Sequence, residues 1–170
     1  TNHLLSLIDD ILQMSKLESG KFTIVREPVD LLLLSREVLA IVEPRAAESG
    51  ITMVSIQTRE AVRTTRVMGS SLHLRQIFLN IYSNCIKYNK AGGKVTTAFR
   101  CVEETTHTVT YQWTISDTGI GMSQEFLKHV FDPFMQERPD ARSVYQGTGL
   151  GMTIVKSLVD RMDGTITVTS

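Results

Sequence analysis

Two glycine-rich segments, Asp117-Thr118-Gly119-Ile120-Gly121-Met122 and Gly147-Thr148-Gly149-Leu150-Gly151-Met152, begin thirty residues apart and hold five of the eleven glycines. Each stands where a strand or loop is predicted to run into a helix. Glycine there lets backbone approach a ligand closely and take positive φ at little steric cost. Amides at a helix N-terminus favour bound anions. The pair of segments therefore points to a nucleotide pocket. It is not the phosphate loop that ends in Gly-Lys-Ser/Thr, because no lysine follows Gly151. Nor does the second segment open a βαβ unit, as a dinucleotide fingerprint would.

A chain of 170 residues can hold one domain with a real core, or one domain plus a small appendage. Its apolar share of 42% argues for a globular protein rather than a disordered one. Eighteen basic and eighteen acidic residues cancel, so no broad basic face invites nucleic acid or an anionic membrane. Cys85 and Cys101 sit in apolar-patterned segments without metal-ligand spacing, as reduced core residues of a cytosolic protein would. The longest aliphatic run, Leu31 to Leu34, is too short to span a bilayer, and no signal peptide is visible. The first residue is not Met and the sequence opens in mid-helix, which suggests a piece of something longer.

Leu4, Leu7, Ile8, Ile11, Met14 and Leu17 repeat at helical spacing over residues 1–19, up to Gly20, and suggest a helix with a missing partner. A short strand is expected over 21–25. Asp30 could cap a helix over 31–48, which Pro44 could kink or shorten and Gly50 ends. Short strands are expected over 51–56 and 65–67, then a helix opened by Ser70 or Ser71 and running to about 89. After Gly92-Gly93, Val95, Thr97, Phe99 and Cys101 alternate with more polar neighbours. Val109, Tyr111, Trp113 and Ile115 do the same in a second strand. A short helix over 124–131 precedes an aperiodic stretch, 132–147, expected to be a long mobile loop. A last helix over 150–163, with Ile154, Val155, Leu158, Val159 and Met162 inward, leads to a closing strand over 165–169. This mixed order predicts an α+β fold, a two-layer α/β sandwich preceded by an isolated helix.

The 70–89 helix carries two stripes. Leu74, Ile77, Phe78, Ile81, Cys85 and Tyr88 form the apolar one. Beside it lie Asn80, Asn84 and Lys87. Carboxamide oxygens suit Mg²⁺, and the lysine supplies charge for phosphate; a solvated helix edge would look the same. Asp117 continues the odd-numbered inward face of its strand, so parity points its carboxylate toward the core. A buried acid needs a polar partner, and the exocyclic amine of a purine would serve. Asp117 could instead cap a turn or the next helix, although Ser123 is the better candidate for that helix. His73, His107 and His129 are expected to be solvated, and Tyr111 and Trp113 to be core residues.

In this order and spacing, these motifs resemble the catalytic and ATP-binding domain of bacterial sensor histidine kinases, the hybrid type included. Asn80-Ile-Tyr-Ser-Asn84-Cys-Ile-Lys87-Tyr88 looks like that family's asparagine box, and Asp117-Thr-Gly-Ile-Gly121 like its first glycine box. Phe131-Asp-Pro-Phe134 looks like its phenylalanine box, and Gly147-Thr-Gly-Leu-Gly151 like its second glycine box. The likeness covers roughly 70–165. Residues 1–19 are similar to the second helix of the family's dimerisation hairpin. The resemblance thus implies a hairpin remnant over 1–19 and a Bergerat-type catalytic domain over 21–170.

It also implies roles. Asp117 would hold the adenine amine of ATP, with Gly119 and Gly121 beside the base. Asn84 would coordinate Mg²⁺, supported by Asn80, while Lys87 contacts phosphate and Tyr88 lies near adenine or ribose. Residues 132–147, with Phe134 at their start, would form an ATP lid. Gly147, Thr148, Gly149, Leu150 and Gly151 would border the phosphates, and Arg142 or Arg138 would add lid charge. Some family members place an arginine two residues after the second Phe; here that position is Gln136.

Related ATPases of the gyrase and chaperone type carry a glutamate base where this chain has Asn80. An amide cannot take a proton from water near neutral pH, so hydrolysis should be poor. The resemblance implies a kinase module that binds ATP and passes the γ-phosphoryl to a histidine on a separate hairpin helix, without autophosphorylating alone. Its partners would be that hairpin, a response-regulator receiver domain and a second copy in the full-length protein, with no nucleic acid. The site would be cytoplasmic, on a fragment that spans no membrane; a membrane anchor elsewhere in the parent stays open. Two alternatives also stay open: an ATPase clamp of the gyrase, chaperone or mismatch-repair type, and a nucleotide-sensing module without kinase activity.

Overall fold

The computed structural model describes residues 2–57, 64–137 and 147–170. They group into two compact units, one of residues 26–120 and one of residues 1–25 with 121–170.

In the 26–120 unit, strand β1 (Glu27–Asp30) pairs antiparallel with β3 (Arg66–Gly69). The Asp30 carboxylate accepts the Leu32 and Leu33 amides, 3.1 Å each, and so caps helix α2 (Leu31–Glu48). Pro44 lies inside α2 without shortening it. Gly50 takes φ 68° and turns the chain into β2 (Thr52–Gln57). Ser70 caps helix α3 (Ser71–Lys87), which is followed by β4 (Lys94–Glu104) and β5 (Val109–Asp117). Strand β4 runs parallel to β2 and antiparallel to β5, giving the order β2-β4-β5. Helices α2 and α3 pack on each other, α2 also against β2 and α3 against β5.

The core of this unit lies where α2, α3 and the sheet meet. From α2 come Leu34, Val38 and Val42, from α3 Phe78, Tyr82 and Cys85, and from β4 Val95. The odd residues of β5 are half-buried up to Ile115 and the even ones exposed. Phe99 stacks on Trp113 with ring centroids 4.1 Å apart, and Phe78 lies 4.9 Å from Trp113, which makes Trp113 a core residue as expected.

Two polar side chains join this interior unexpectedly. Tyr82, only 2% exposed, shares a 2.8 Å hydrogen bond with the hydroxyl of buried Thr97. His73, expected to be solvated, is 8% exposed, and burial holds its pKa below the usual value. The Ser70 hydroxyl accepts the His73 backbone N–H at 3.4 Å, and Ser70 Oγ lies 2.8 Å from His73 Nδ1. The same serine thus serves the helix cap and the imidazole. His107 and His129 are not buried; His129 Nδ1 meets the Asp132 carboxylate at 2.7 Å.

In the other unit, helix α1 (Asn2–Glu18) and helix α5 (Gly151–Arg161) pack together, with the short α4 (Gln124–Leu127) capped by Ser123. The expectation of an isolated first helix is therefore corrected. Leu17 is buried, and its carbonyl accepts the Arg161 guanidinium. Leu4, Leu5, Ile8, Ile11 and Leu12 stay exposed. Helix α5 buries Thr153, Ile154, Val155 and Leu158.

Several boundaries differ from expectation. Residues 21–25 and 165–169 keep strand-like alternation but form no strand, since among the described residues neither finds a ladder partner. The 124–131 helix is one turn, and α5 stops at Arg161, where Asp163 rather than Gly164 takes positive φ. Cys101 is only half-buried.

Tyr82→Phe is expected to destabilise the chain by about 1–2 kcal/mol, because it leaves the buried Thr97 hydroxyl without its partner. Tyr82→Phe with Thr97→Val should recover most of that loss. Urea denaturation of the three proteins measures both, and an unshifted midpoint for Tyr82→Phe would mean that the pair adds nothing.

Candidate functional site

The last two turns of α3 present Asn80, Asn84 and Lys87, all half-exposed, beside the buried residues Ile77, Phe78, Tyr82 and Cys85. Tyr88 caps the helix, its N–H donating to the Asn84 carbonyl at 3.0 Å. The Lys87 ammonium lies 4.8 Å from the centre of the Tyr88 ring, a cation–π distance. These residues share one helix end, as their spacing predicts.

Asp117 closes β5 opposite Val95. Its side chain meets the Cys85 thiol of α3, so parity gave the right face. The expectation of a buried carboxylate is corrected, however, because Asp117 is exposed. It is the last residue of its strand, where cover runs out, and in place of burial its carboxylate is held by hydrogen bonds. Oδ1 accepts the Gly119 N–H at 2.8 Å. The Cys85 thiol is also hydrogen-bonded to it; burial first, then the Asp117 charge and this bond, push the thiol pKa up to about 12. That thiol stays protonated and donates.

Gly119 is required sterically. A Cβ there would lie 2.4 Å from the Tyr88 carbonyl oxygen and 2.7 Å from Asp117 Oδ1. The Ile120 N–H donates to the same Tyr88 carbonyl at 3.0 Å. The 26–120 unit thus brings Asn84, Lys87, Tyr88, Asp117 and Gly119 to one end of α3 and β5.

Asn89 and Thr118 were not singled out by sequence. Asn89 is 8% exposed. Its Oδ1 accepts the Lys90 N–H at 3.0 Å and the Thr118 hydroxyl at 3.3 Å, and its Nδ2 donates to the Lys94 carbonyl at 3.2 Å. The only sequence signal was a helix-ending asparagine just past the asparagine box.

The remaining candidates belong to the other unit. Gly121 takes φ 69° and Gly149 φ 72°. A Cβ on Gly149 would come 2.8 Å from Phe134 Cα, and the Phe134 N–H donates to the Gly149 carbonyl at 2.9 Å. Phe134 itself has φ 61° and an exposed ring. Gln136, noted from sequence only as a missing arginine, donates from Nε2 to the Gly147 carbonyl at 2.6 Å. The Thr148 hydroxyl donates to the Asp10 carboxylate at 2.7 Å and accepts the Leu150 N–H at 3.2 Å. The Leu150 side chain is buried, so only its backbone could serve a ligand. Helix α5 opens at Gly151 with no side-chain cap. Arg138 and Arg142 lie outside the described residues.

Among the described residues, no three or more His, Cys, Asp or Glu side chains gather to hold a metal.

Comparison with known proteins identifies the family. The family described as histidine kinase-, DNA gyrase B-, and HSP90-like ATPase matches residues 69–170. The autoinducer 2 sensor kinase/phosphatase LuxQ of Vibrio parahaemolyticus is 34% identical over 99% of this chain and 19% of its own length. Sensor protein GacS of Pseudomonas syringae is 35% identical over 99% of this chain and 18% of its own. The chain thus spans about a fifth of these curated relatives. Among solved structures, full-length ShkA in complex with AMPPNP superposes with a TM-score of 0.77 at 28% identity, over 99% of this chain and 33% of that one. The Acinetobacter baumannii histidine kinase AdeS gives 0.68 at 22%, over 92% and 66%, a likeness of fold. The fold is the α+β sandwich of Bergerat type expected from the motifs. The chain belongs to the histidine kinase-, DNA gyrase B- and HSP90-like ATPase family.

Proposed function

We propose that this chain is the ATP-binding catalytic module of a sensor protein-histidine kinase. It would pass the γ-phosphoryl of Mg-ATP to a histidine on the dimerisation hairpin of the parent protein, for relay to a response-regulator aspartate. The observation that carries this is the exposed Asp117 carboxylate, fixed by the Gly119 amide, beside the Asn84–Lys87–Tyr88 end of α3. The family match and the sensor kinases among its relatives support the same reading.

The base amine would donate to Asp117, and Lys87 would meet phosphate. Asn84 would hold Mg²⁺, with Asn80 supporting it; the ion, when bound, supplies charge neutralisation to the phosphates. Amides of Gly147, Gly149 and Gly151, with Thr148, would serve phosphate, and Arg142 would add charge from the lid. Asn80 has no proton affinity to activate water. Transfer would occur by positioning: an imidazole nitrogen attacks the γ-phosphorus, the bond to the β-bridging oxygen breaks, and ADP leaves.

Residues 1–19 would be hairpin and 21–170 the catalytic domain. The exposed leucines and isoleucines of α1 suit pairing with a second helix, as in a homodimer of the parent. No described helix is long and apolar enough to cross a membrane. We place the module in the cytoplasm, beside its ATP supply.

Asp117→Asn should weaken binding of a fluorescent ATP analogue by at least about tenfold, since a charge-assisted hydrogen bond is lost. Unchanged affinity would contradict base recognition by Asp117. Asn84→Ala should abolish the Mg²⁺-dependent gain in affinity, and a gain that persists would remove Asn84 from the metal. With labelled ATP, the 170-residue chain should stay unlabelled alone and phosphorylate a supplied hairpin bearing the acceptor histidine. Stable label on the chain itself would refute the division of roles.

A further inference from the structure

The hydrogen bonds around Asn89 tie three segments of the 26–120 unit. Beyond the three bonds of the Asn89 carboxamide, the Lys94 N–H donates to the Thr118 hydroxyl at 2.9 Å, and the Thr118 N–H to the Lys94 carbonyl at 3.1 Å. Thr118 thus gives one hydrogen bond to the end of α3 and exchanges two with the start of β4. A Cβ on Gly93 would fall 2.2 Å from Asn89 Oδ1 and 2.9 Å from Thr118 Oγ1, so the residue between them has no room for a side chain.

This network lies outside the apolar core cluster, and its members flank the candidate ligand residues. Asn89 follows Lys87 and Tyr88, while Thr118 separates Asp117 from Gly119. Ladder pairing fixes Asp117 against Val95, but it does not link β5 to the end of α3. Beside the Cys85 thiol's bond to Asp117, Thr118 and Asn89 make that link, reinforced by the Tyr88 carbonyl and the Ile120 amide. A recognition group misplaced by a fraction of an ångström loses much of its effect.

We propose that Asn89 and Thr118 are positioning residues, a clasp that keeps the Asp117 carboxylate and the Gly119 amide in register with the Lys87–Tyr88 end of α3. The unit then accepts a purine amine in one geometry only. The clasp acts through Asp117 and touches no ligand itself, so the inference rests on the base-recognition reading above.

The test compares Asn89→Ala, Thr118→Val and Thr118→Ser in the 170-residue chain, by affinity for ATP and for purine riboside triphosphate, which lacks the 6-amino group. Asn89→Ala and Thr118→Val should lose about tenfold for ATP and less than about twofold for the analogue, the loss being confined to the amine contact. Thr118→Ser, which keeps the hydroxyl, should bind as the original chain does. Without nucleotide, amide exchange at Gly119 and Ile120 should speed up about tenfold in the first two variants, with α2 unchanged. Equal losses for both nucleotides would reduce the network to a stability element and overturn the proposal, as would unaltered exchange. If the original chain does not prefer ATP over the analogue, base recognition by Asp117 fails, and the exchange comparison alone decides whether the clasp exists.

Discussion

Backbone meets backbone where the turn after β5 passes the end of α3. Nothing larger than hydrogen fits at Gly119, because its pro-Cβ direction points into the Tyr88 carbonyl. That approach lets the Ile120 amide reach the same carbonyl, and it turns the Gly119 N–H onto Asp117. The arrangement of Asp117, Tyr88 and Lys87 depends on this one steric allowance. A glycine read in sequence as making room for a ligand also makes room for protein.

The second glycine segment obeys the same logic in its own unit. Gly149 abuts the Phe134 backbone, and Phe134 accepts a left-handed φ that costs a non-glycine residue about 1 kcal/mol or more. Gln136 and Asp10 tie down Gly147 and Thr148. The approach to α5 at 147–149 is therefore specified by short polar contacts as well as by its glycines.

Sequence carried the fold furthest where a period could be counted. The 3–4 spacing in α3 and the alternation in β4 and β5 identified Phe78, Cys85 and Val95 and the half-buried rings beside them, but not the α2 share of the core. Asp30 and Ser123 were legible as caps because their hydrogen bonds are local. Partners distant in sequence were not legible. Tyr82 was left out of the apolar stripe, and only Thr97, on another element, gives its hydroxyl a buried partner. Residues 21–25 and 165–169 alternate convincingly, yet a strand needs a neighbour, and alternation says nothing of one. At Asp117, parity predicted the face correctly but not the exposure, since parity does not know where a strand ends. The spacing of Asn80, Asn84 and Lys87 placed them on one stripe, whereas Asn89 and Thr118 meet only through tertiary structure.

The two thiols differ in a way that bears on how opening of this molecule can be followed. Cys85 is buried on α3 with its proton held by burial and a neighbouring anion, while Cys101 stands half-open on β4. Alkylating reagents consume thiolates, so Cys101 takes the reagent first and Cys85 only after its helix lifts from the sheet. The native chain therefore carries its own stopwatch: the delay between the first and second mass increments records how often that layer comes apart.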